Sequence, residues 1–307
     1  MTSEQGPGPV VVVTGANGLV GARVSDALAR RGATVRAVVR RAGTAPRIEG
    51  LEEHVGDFGD ADFAARVVTG ADSVVTTVHP MGSDRETQHR VGVEDTARLV
   101  RVARDAGVGL VVHLSTCAVY GQPDGSVDID ESSPLVGDDA DVYAVTKRDT
   151  DAAICAVDGI TRVLVRPPAI LGAGDTSVWN TLRPRDVRDD EQARHVVARR
   201  TFRWVHVEDL AALVADLGTG RIPAGDDPAE GPVAGGCTAV DVAGEPATSG
   251  DYFSTVTRAL GVEPVWEDGP AWTGQVRTER ARGWGWSPRV PLADALAELE
   301  QCVRALA

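Results

Sequence analysis

A doubly wound parallel α/β domain followed by a smaller C-terminal lobe is the fold class that this 307-residue sequence predicts, on three observations. Short β-branched runs alternate with stretches of helical periodicity as far as Gly172, the arrangement that buries both faces of a parallel sheet. A glycine-rich turn joins the first such run to the first helical stretch. Beyond Gly172 the alternation gives way to irregular, charged and tryptophan-bearing sequence.

Residues 10–13 form the first strand, and Thr14-Gly-Ala-Asn-Gly-Leu-Val-Gly21 follows at once, leading into the helical pattern of Val24, Ala27 and Leu28. In this strand–turn–helix setting Gly15 permits the tight turn, Gly18 lets the backbone approach a pyrophosphate, and Gly21 allows close helix packing. Unpaired N–H groups at the helix N-terminus stabilise the phosphate charge. Residues 33–39 make a second strand, and residues 74–78 and 110–114 two more, with helical spacing over 91–106 between them. Residues 162–165 continue the alternation up to Arg166-Pro-Pro168. A Rossmann-type dinucleotide-binding domain is therefore expected over 10–171. Residues 172–307 read mainly as a substrate-binding lobe, with 205–218 returning to the first domain through a helix at 207–217. The stretch 218–236, rich in Gly, Pro and Asp, reads as a surface loop or linker. Residues 251–260 and 292–306 read as helices, the second with Leu292, Leu296 and Leu299 on one face.

Composition narrows the function. Hydrophobic residues make up 43% of the chain, enough for a core, and the formal charge of −14 repels phosphate backbones and anionic lipid. Nucleic acid and membrane are excluded as partners on that ground, leaving a small-molecule substrate. Cys117, Cys155, Cys237 and Cys302 are widely spaced with no Cys-x-x-Cys, so neither a metal site nor a disulfide framework is expected and the thiols read as reduced. Residues 1–9 lack the basic region and apolar run of a signal peptide, and no stretch approaches a membrane span. A cytoplasmic protein is the expectation.

Of 31 basic side chains only one is a lysine, Lys147, and it stands four residues after Tyr143, one of three tyrosines. An ammonium near a phenol favours the phenolate, which suits a general acid or base; the alternative is an exposed helical pair at i and i+4. At the end of the second strand, where a carboxylate would bind the ribose hydroxyl of NAD, the chain has Arg40 and Arg41. Arginine there accommodates a 2′-phosphate, so NADP(H) is preferred with NAD(H) possible. A solvated arginine pair is the competing reading.

Thr14 to Gly21, Gly56-Asp57-Phe58, Leu114-Ser-Thr-Cys-Ala-Val-Tyr-Gly121, Tyr143 to Lys147, Arg166-Pro167, Val205-His-Val-Glu-Asp209 and Gly283-Trp-Gly-Trp-Ser-Pro288 stand in one order across nearly the whole chain. In that order and spacing the sequence resembles the extended short-chain dehydrogenase/reductases of the NAD(P)-dependent epimerase/dehydratase superfamily. The resemblance implies a catalytic triad of Thr116, Tyr143 and Lys147, with Ser115 a rival to Thr116. Tyr143 would exchange a proton with the substrate oxygen, Thr116 would hydrogen-bond that oxygen, and Lys147 would hold the ribose and depress the tyrosine pKa. It also implies cofactor contacts from Gly15, Asn17, Gly18, Leu19, Val20, Gly21 and Ser115, with Asp57 and Phe58 at the adenine. Val78 would line the nicotinamide ribose channel, and Pro167, Ala169 and Ile170 would pack on the nicotinamide. A homodimer through the helices at 91–106 and 143–157 is common in such proteins.

Departures from the family pattern narrow the reaction. Cys117-Ala118 replaces the Asp-Glu that sugar-nucleotide dehydratases carry after the threonine, and Phe202 stands where nucleotide-sugar enzymes place an arginine. Gly92 replaces the asparagine usual in the fourth helix, which puts an active-site water or backbone contact in doubt. The runs 34–40 and Val78-His-Pro-Met81 are similar to carbonyl reductases near the dihydroflavonol and cinnamoyl-CoA reductases. These features favour an NADPH-dependent oxidoreductase acting on the ketone or secondary alcohol of a small, ring-bearing metabolite. A nucleotide-sugar 4-ketoreductase or epimerase is the alternative, and a non-catalytic cofactor sensor a third reading that the intact triad opposes. His79, Met81, Cys117 and Trp204 are the candidate substrate contacts. Trp179, Trp204 and Trp266 either line an apolar pocket or pack in the core. The arginines between 183 and 203, mixed with acidic residues, read as a solvated helix or an anion pocket.

Overall fold

The computed structural model describes residues 8–121 and 125–306; residues 1–7, on which the expectation of no signal peptide partly rests, lie outside the described residues. Strands β1 (Val10–Thr14), β2 (Thr34–Val39), β3 (Leu51–Val55), β4 (Ser73–Thr76), β5 (Leu110–Leu114) and β6 (Thr161–Arg166) are followed by β7 (Ala169–Leu171), β8 (His195–Val196), β9 (Trp204–His206), β10 (Cys237–Asp241) and β11 (Val265–Trp266). The helices are α1 (Leu19–Arg30), α2 (Ala61–Val68), α3 (Arg85–His89), α4 (Thr96–Asp105), α5 (Val142–Cys155), α6 (Arg183–Asp189), α7 (Val207–Gly218), α8 (Ser249–Leu260), α9 (Glu279–Gly283) and α10 (Leu292–Arg304). A seven-stranded sheet has the order β10-β6-β5-β4-β1-β2-β3, and β1 pairs in parallel with both β2 and β4. The chain thus leaves β1 in one direction for β2 and β3, and returns to its other side for β4 and β5. That reversal is where open α/β sheets bind ligands.

The central strands are runs of β-branched side chains because they are buried on both faces: Val11, Val12, Val13, Val74, Val111 and Val112 are fully buried. Two strands carry no such signal. β3 reads Leu-Glu-Glu-His-Val and is half exposed at the edge of the sheet, where charges discourage further pairing. β10, at the opposite edge, follows the 218–236 stretch.

The chain divides into two compact units at other boundaries than the expected 171/172. The first comprises the described residues up to Val119, Leu135–Arg166 and Ala211–Val240; the second takes the described residues of Tyr120–Pro134, Pro167–Leu210 and those from Asp241 onward. In the first unit Arg31 pairs with Asp216 at 2.7 Å and Ser73 Oγ donates to the Gly218 carbonyl oxygen at 2.8 Å, which fastens α7 to the sheet. The second unit claims 120–134 because Ile129 N donates to Gln275 O at 2.9 Å and the Tyr120 hydroxyl to Asp241 Oδ1 at 3.0 Å. Its core gathers Leu171, Phe202, Trp204, Tyr252, Phe253 and Leu299. Two family landmarks meet within it, since Trp286 Nε1 donates to the Asp209 carbonyl oxygen at 2.9 Å and Val290 N to Asp209 Oδ2 at 3.1 Å.

The reading of four reduced thiols is overturned for two of them. Cys155, the last residue of α5, is disulfide-bonded to Cys237, the first of β10, across 82 residues of sequence, while Cys117 and Cys302 form no disulfide. Folding brings the pair together, so their spacing along the chain carried no trace of it. No helix among the described residues is long and apolar enough to cross a membrane, and no cluster there could hold a metal ion.

Candidate active site

Three strand ends of the first unit converge on the site. Beyond β1 the turn is shaped by close contacts: Gly15 has φ 71°, and a Cβ on it would stand 2.7 Å from Thr77 Oγ1 and 2.9 Å from Val78 Cγ2. A Cβ on Gly21 would stand 2.1 Å from the Gly15 carbonyl oxygen, so both positions require glycine for internal reasons. Gly18 differs. Its Cβ would meet only Gly15 O, at 3.4 Å, and Gly18 is the N-cap of α1 with no side chain capping the helix. Open backbone at a helix N-terminus fits a pyrophosphate, and the turn therefore suits a dinucleotide. Asn17 is exposed beside it, Leu19 partly exposed and Val20 buried.

Arg40 and Arg41 are exposed directly after β2, and neither pairs with a carboxylate among the described residues. Glu53 of β3 accepts from Gly43 N at 2.8 Å and Ala45 N at 3.0 Å, which ties the loop after the two arginines to β3. Those bonds hold the Glu53 carboxyl below its usual range. Asp57 is exposed and accepts from Gly59 N at 2.9 Å, whereas Phe58 is packed in the core of the unit. Val78 sits against the Gly15 turn. Pro167, Ala169 and Ile170 belong to the second unit, where β7 pairs with β9.

Tyr143 stands in the first turn of α5, whose N-cap Asp141 accepts from its backbone N–H at 2.8 Å. It is the one tyrosine without a structural bond: the Tyr120 hydroxyl donates to Asp241, and that of Tyr252 to the Trp179 carbonyl oxygen at 2.6 Å. Thr116, just past β5, lies within hydrogen-bonding reach of the Tyr143 phenol, and its Oγ1 accepts from Ala118 N at 3.1 Å. Ser115 is no rival, because its hydroxyl is committed to Asp151 Oδ2 at 2.8 Å. Lys147 Nζ donates to the Leu114 carbonyl oxygen at 2.7 Å.

The expected depression of the tyrosine pKa by Lys147 is not found. Burial pushes the phenol up, Thr116 opposes this, and the charges of Cys117, Asp151 and Asp141 push it further up. Lys147 is spent on the Leu114 carbonyl, and burial lowers its own pKa to about 8 although Asp151 counters. The site thus presents a protonated phenol.

The candidate substrate residues separate. His79 lies edge-on to Tyr143 with ring centroids 4.9 Å apart, and burial, with Lys147 adding, lowers its pKa to about 4. Both its ring nitrogens are buried, with the Gln88 side chain the one group that opposes the lowering. Met81, in the same loop, is 59% exposed. Cys117 is corrected to a structural role: it is fully buried, and its thiol donates to the Arg166 carbonyl oxygen at 3.0 Å. Trp204 is corrected likewise, being 1% exposed in the second core with its indole N–H donating to Glu245 O at 2.9 Å. Trp179 packs against that core, but Trp266 is 46% exposed. Of the arginines of 183–203, Arg188 pairs with Asp189 at 2.7 Å and Arg194 Nε donates to Val187 O at 2.9 Å, while Arg199 donates to the Gly269 carbonyl oxygen at 2.6 Å.

Gly92 lies in a six-residue π-helical segment, Arg90–Asp95, that breaks the predicted 91–106 helix. A Cβ there would stand 3.3 Å from Thr146 Cγ2 on α5, so the glycine serves close packing on the helix that carries Tyr143 and Lys147. Sequence reading missed Asp151 and gave no role to Arg166. Asp151 is four residues beyond Lys147, on the same helix face, and that spacing was its signal.

A nucleotide-binding sheet with a glycine turn at its reversal point, and Thr, Tyr and Lys gathered beyond β5, defines the class of extended short-chain dehydrogenase/reductases. The chain belongs to the NAD dependent epimerase/dehydratase family, whose profile it matches over residues 11–217. It is similar to a 4-hydroxy-2-methyl-3-oxo-4-farnesyl-3,4-dihydroquinoline-1-oxide ketoreductase of Stigmatella aurantiaca, 30% identical over 200 residues, covering 63% of this chain and 56% of that protein. A 3 beta-hydroxysteroid dehydrogenase/Delta 5→4-isomerase of Mycobacterium tuberculosis is 31% identical over 194 residues, covering 59% and 52% respectively. The chain thus spans about half the length of these curated relatives. Among solved structures, the Bordetella bronchiseptica enzyme WbmG in complex with NAD has a TM-score of 0.73 at 18% identity, covering 98% of this chain and 95% of that one. The UDP-glucose 4-epimerase of Thermotoga maritima has a TM-score of 0.74 at 16% identity, covering 97% and 99%. At those identities the likeness is one of fold.

Proposed function

We propose that this protein is an NADPH-dependent ketoreductase, moving hydride between NADP(H) and the ketone or secondary alcohol of a small, ring-bearing metabolite. The observation that carries the reading is the state of Tyr143, the one tyrosine free of a structural bond, held protonated beside Thr116. A phenol that keeps its proton is suited to giving it to a carbonyl oxygen that gains negative charge. Hydride is what a bound nicotinamide supplies. Thr116 donates its hydroxyl hydrogen to the same oxygen, and Lys147, anchored on Leu114, directs positive charge at the ribose. Gly15, Asn17, Gly18, Leu19, Val20 and Gly21 hold the pyrophosphate, Arg40 and Arg41 the 2′-phosphate, and Asp57 the adenine. Val78 borders the nicotinamide. His79 and Met81 border the substrate.

The names of two curated relatives support a ring carbonyl or carbinol as the reacting group, one enzyme being named for a dihydroquinoline and the other for a hydroxysteroid. The loss of the Asp-Glu pair at Cys117-Ala118 speaks against dehydration. NADPH oxidation is to be followed at 340 nm with a panel of cyclic ketones, acyclic ketones and a nucleotide 4-keto-sugar. Turnover of the cyclic members supports the reading; turnover of the keto-sugar alone favours the nucleotide-sugar reductase. Tight NADPH binding without turnover of any member contradicts both.

A further inference from the structure

A buried ion pair holds one neighbour of Thr116, and the backbone of its arginine holds the other. Arg166, the last residue of β6, donates to Asp151 Oδ2 from Nε at 3.1 Å and from Nη2 at 2.9 Å. The Ser115 hydroxyl donates to that same oxygen at 2.8 Å, and the Cys117 thiol to the carbonyl oxygen of Arg166 itself at 3.0 Å. Ser115 and Cys117 are the two neighbours of Thr116, and all five side chains are buried. Asp151 Oδ1 is buried with no hydrogen-bond partner, a costly state for a carboxylate oxygen.

We propose that Asp151, fixed by Arg166, is a positioning residue for catalysis, setting the Thr116 hydroxyl against the Tyr143 phenol by holding its neighbour Ser115, while the Arg166 backbone holds Cys117. Stability alone does not call for such a pair. Buried ion pairs are commonly no more stabilising than apolar side chains of the same volume, because desolvation offsets the attraction. What apolar side chains cannot do is hold a hydroxyl and a guanidinium at one fixed point. The same carboxylate stands one helical turn beyond Lys147 and favours its ammonium form.

The charged and titratable groups around this point come from several elements. Asp151 faces Arg166 from β6, and Lys147 and Tyr143 from its own helix. Lys147 in turn faces His79 beyond β4 and His113 on β5, both kept neutral by burial first and by the ammonium second.

The kinetic side of the proposal rests on the ketoreductase reading, so the test adds a measurement that needs no turnover. Lys147 is the only lysine, and protein labelled with 13Cε-lysine therefore gives one lysine resonance whose titration reports that ammonium directly. The double variant Asp151→Leu/Arg166→Met in the full chain removes both members of the ion pair and leaves Lys147 as the buried cation, without the carboxylate that favours its charge. It is expected to melt close to the parent, to lose about 100-fold in kcat with the NADPH KM within about twofold, and to titrate its lysine at lower pH. Should it fail to fold, Ser115→Ala, which removes one arm of the grip and no charge, is expected to lower kcat by about 10-fold at unchanged KM. A folded double variant with parental kcat and an unmoved lysine midpoint overturns the proposal, as does full kcat in Ser115→Ala. If the parent protein reduces no ketone, the ketoreductase reading fails, and the lysine midpoint alone decides: lowered in the double variant it supports the hold of Asp151, unmoved it refutes it.

Discussion

The Lys147 ammonium donates to the carbonyl oxygen of Leu114 at 2.7 Å, so the one lysine of the chain ties α5 to the end of β5, two residues before Thr116. The contact fixes the distance between the helix that carries Tyr143 and the strand end that carries its partner. It also buries the ammonium, which lowers its pKa to about 8. Arginine, the cation everywhere else in this chain, is a larger planar fork that keeps its proton at any working pH.

That difference sets the expected pH dependence. Below about 8 Lys147 carries its proton, and above it the charge is lost, so the rate of ketone reduction should fall as pH rises through that value. Lys147→Arg should lose most of the activity, on the order of 100-fold in kcat, and the residual rate should lack the break. Full activity in Lys147→Arg would return the lysine to coincidence.

Arg40 and Arg41 follow β2 with no acidic partner among the described residues, the arrangement suited to a 2′-phosphate. Arg40→Asp should raise the KM for NADPH by about 10-fold or more while leaving that for NADH nearly unchanged. An unmoved ratio of the two would remove the basis for NADPH preference.

Cys155 and Cys237 share a disulfide, and Cys117 and Cys302 are in none. Alkylation of the denatured, unreduced protein should therefore label two cysteines, and alkylation after reduction four. Breaking the pair by Cys155→Ser should cost about 2–5 kcal/mol of stability, the usual range for a native disulfide, read as a lower midpoint in denaturant. Four labelled cysteines without reduction would restore the reading of free thiols.

The helices at 91–106 and 143–157 are the proposed faces of a homodimer. Light scattering on the eluting protein should return twice the chain mass. A monomeric mass at micromolar concentration would refute this.

How much of this was legible in the sequence depended on how local the signal is. The central strands and the glycine turn announce themselves because burial on both faces and close backbone contacts leave little choice of residue, as at Val11 to Val13 and at Gly15 and Gly21. The Tyr143, Lys147 and Thr116 set was legible through spacing and order. β3 was hidden by its two glutamates, which suit an edge strand and break the apolar pattern. The Cys155–Cys237 bond, the burial of Cys117 and the commitment of Ser115 to Asp151 were hidden for another reason. Each is a contact between segments far apart in sequence, and the residue types involved serve equally well on a surface.

The direction of the tyrosine pKa was the least legible feature. Proximity to a lysine predicts a lowered value, but the protein interior imposes burial on the phenol and gives the ammonium a carbonyl to bind.

The central claim is that Tyr143 gives its proton to the ketone, and Tyr143→Phe tests it most directly, with NADPH affinity from fluorescence titration measured alongside single-turnover reduction. The account predicts that NADPH binding is retained within about twofold while the reduction rate falls by at least about 1,000-fold. A variant that still reduces ketones near the parental rate would place the proton donor elsewhere and contradict the account.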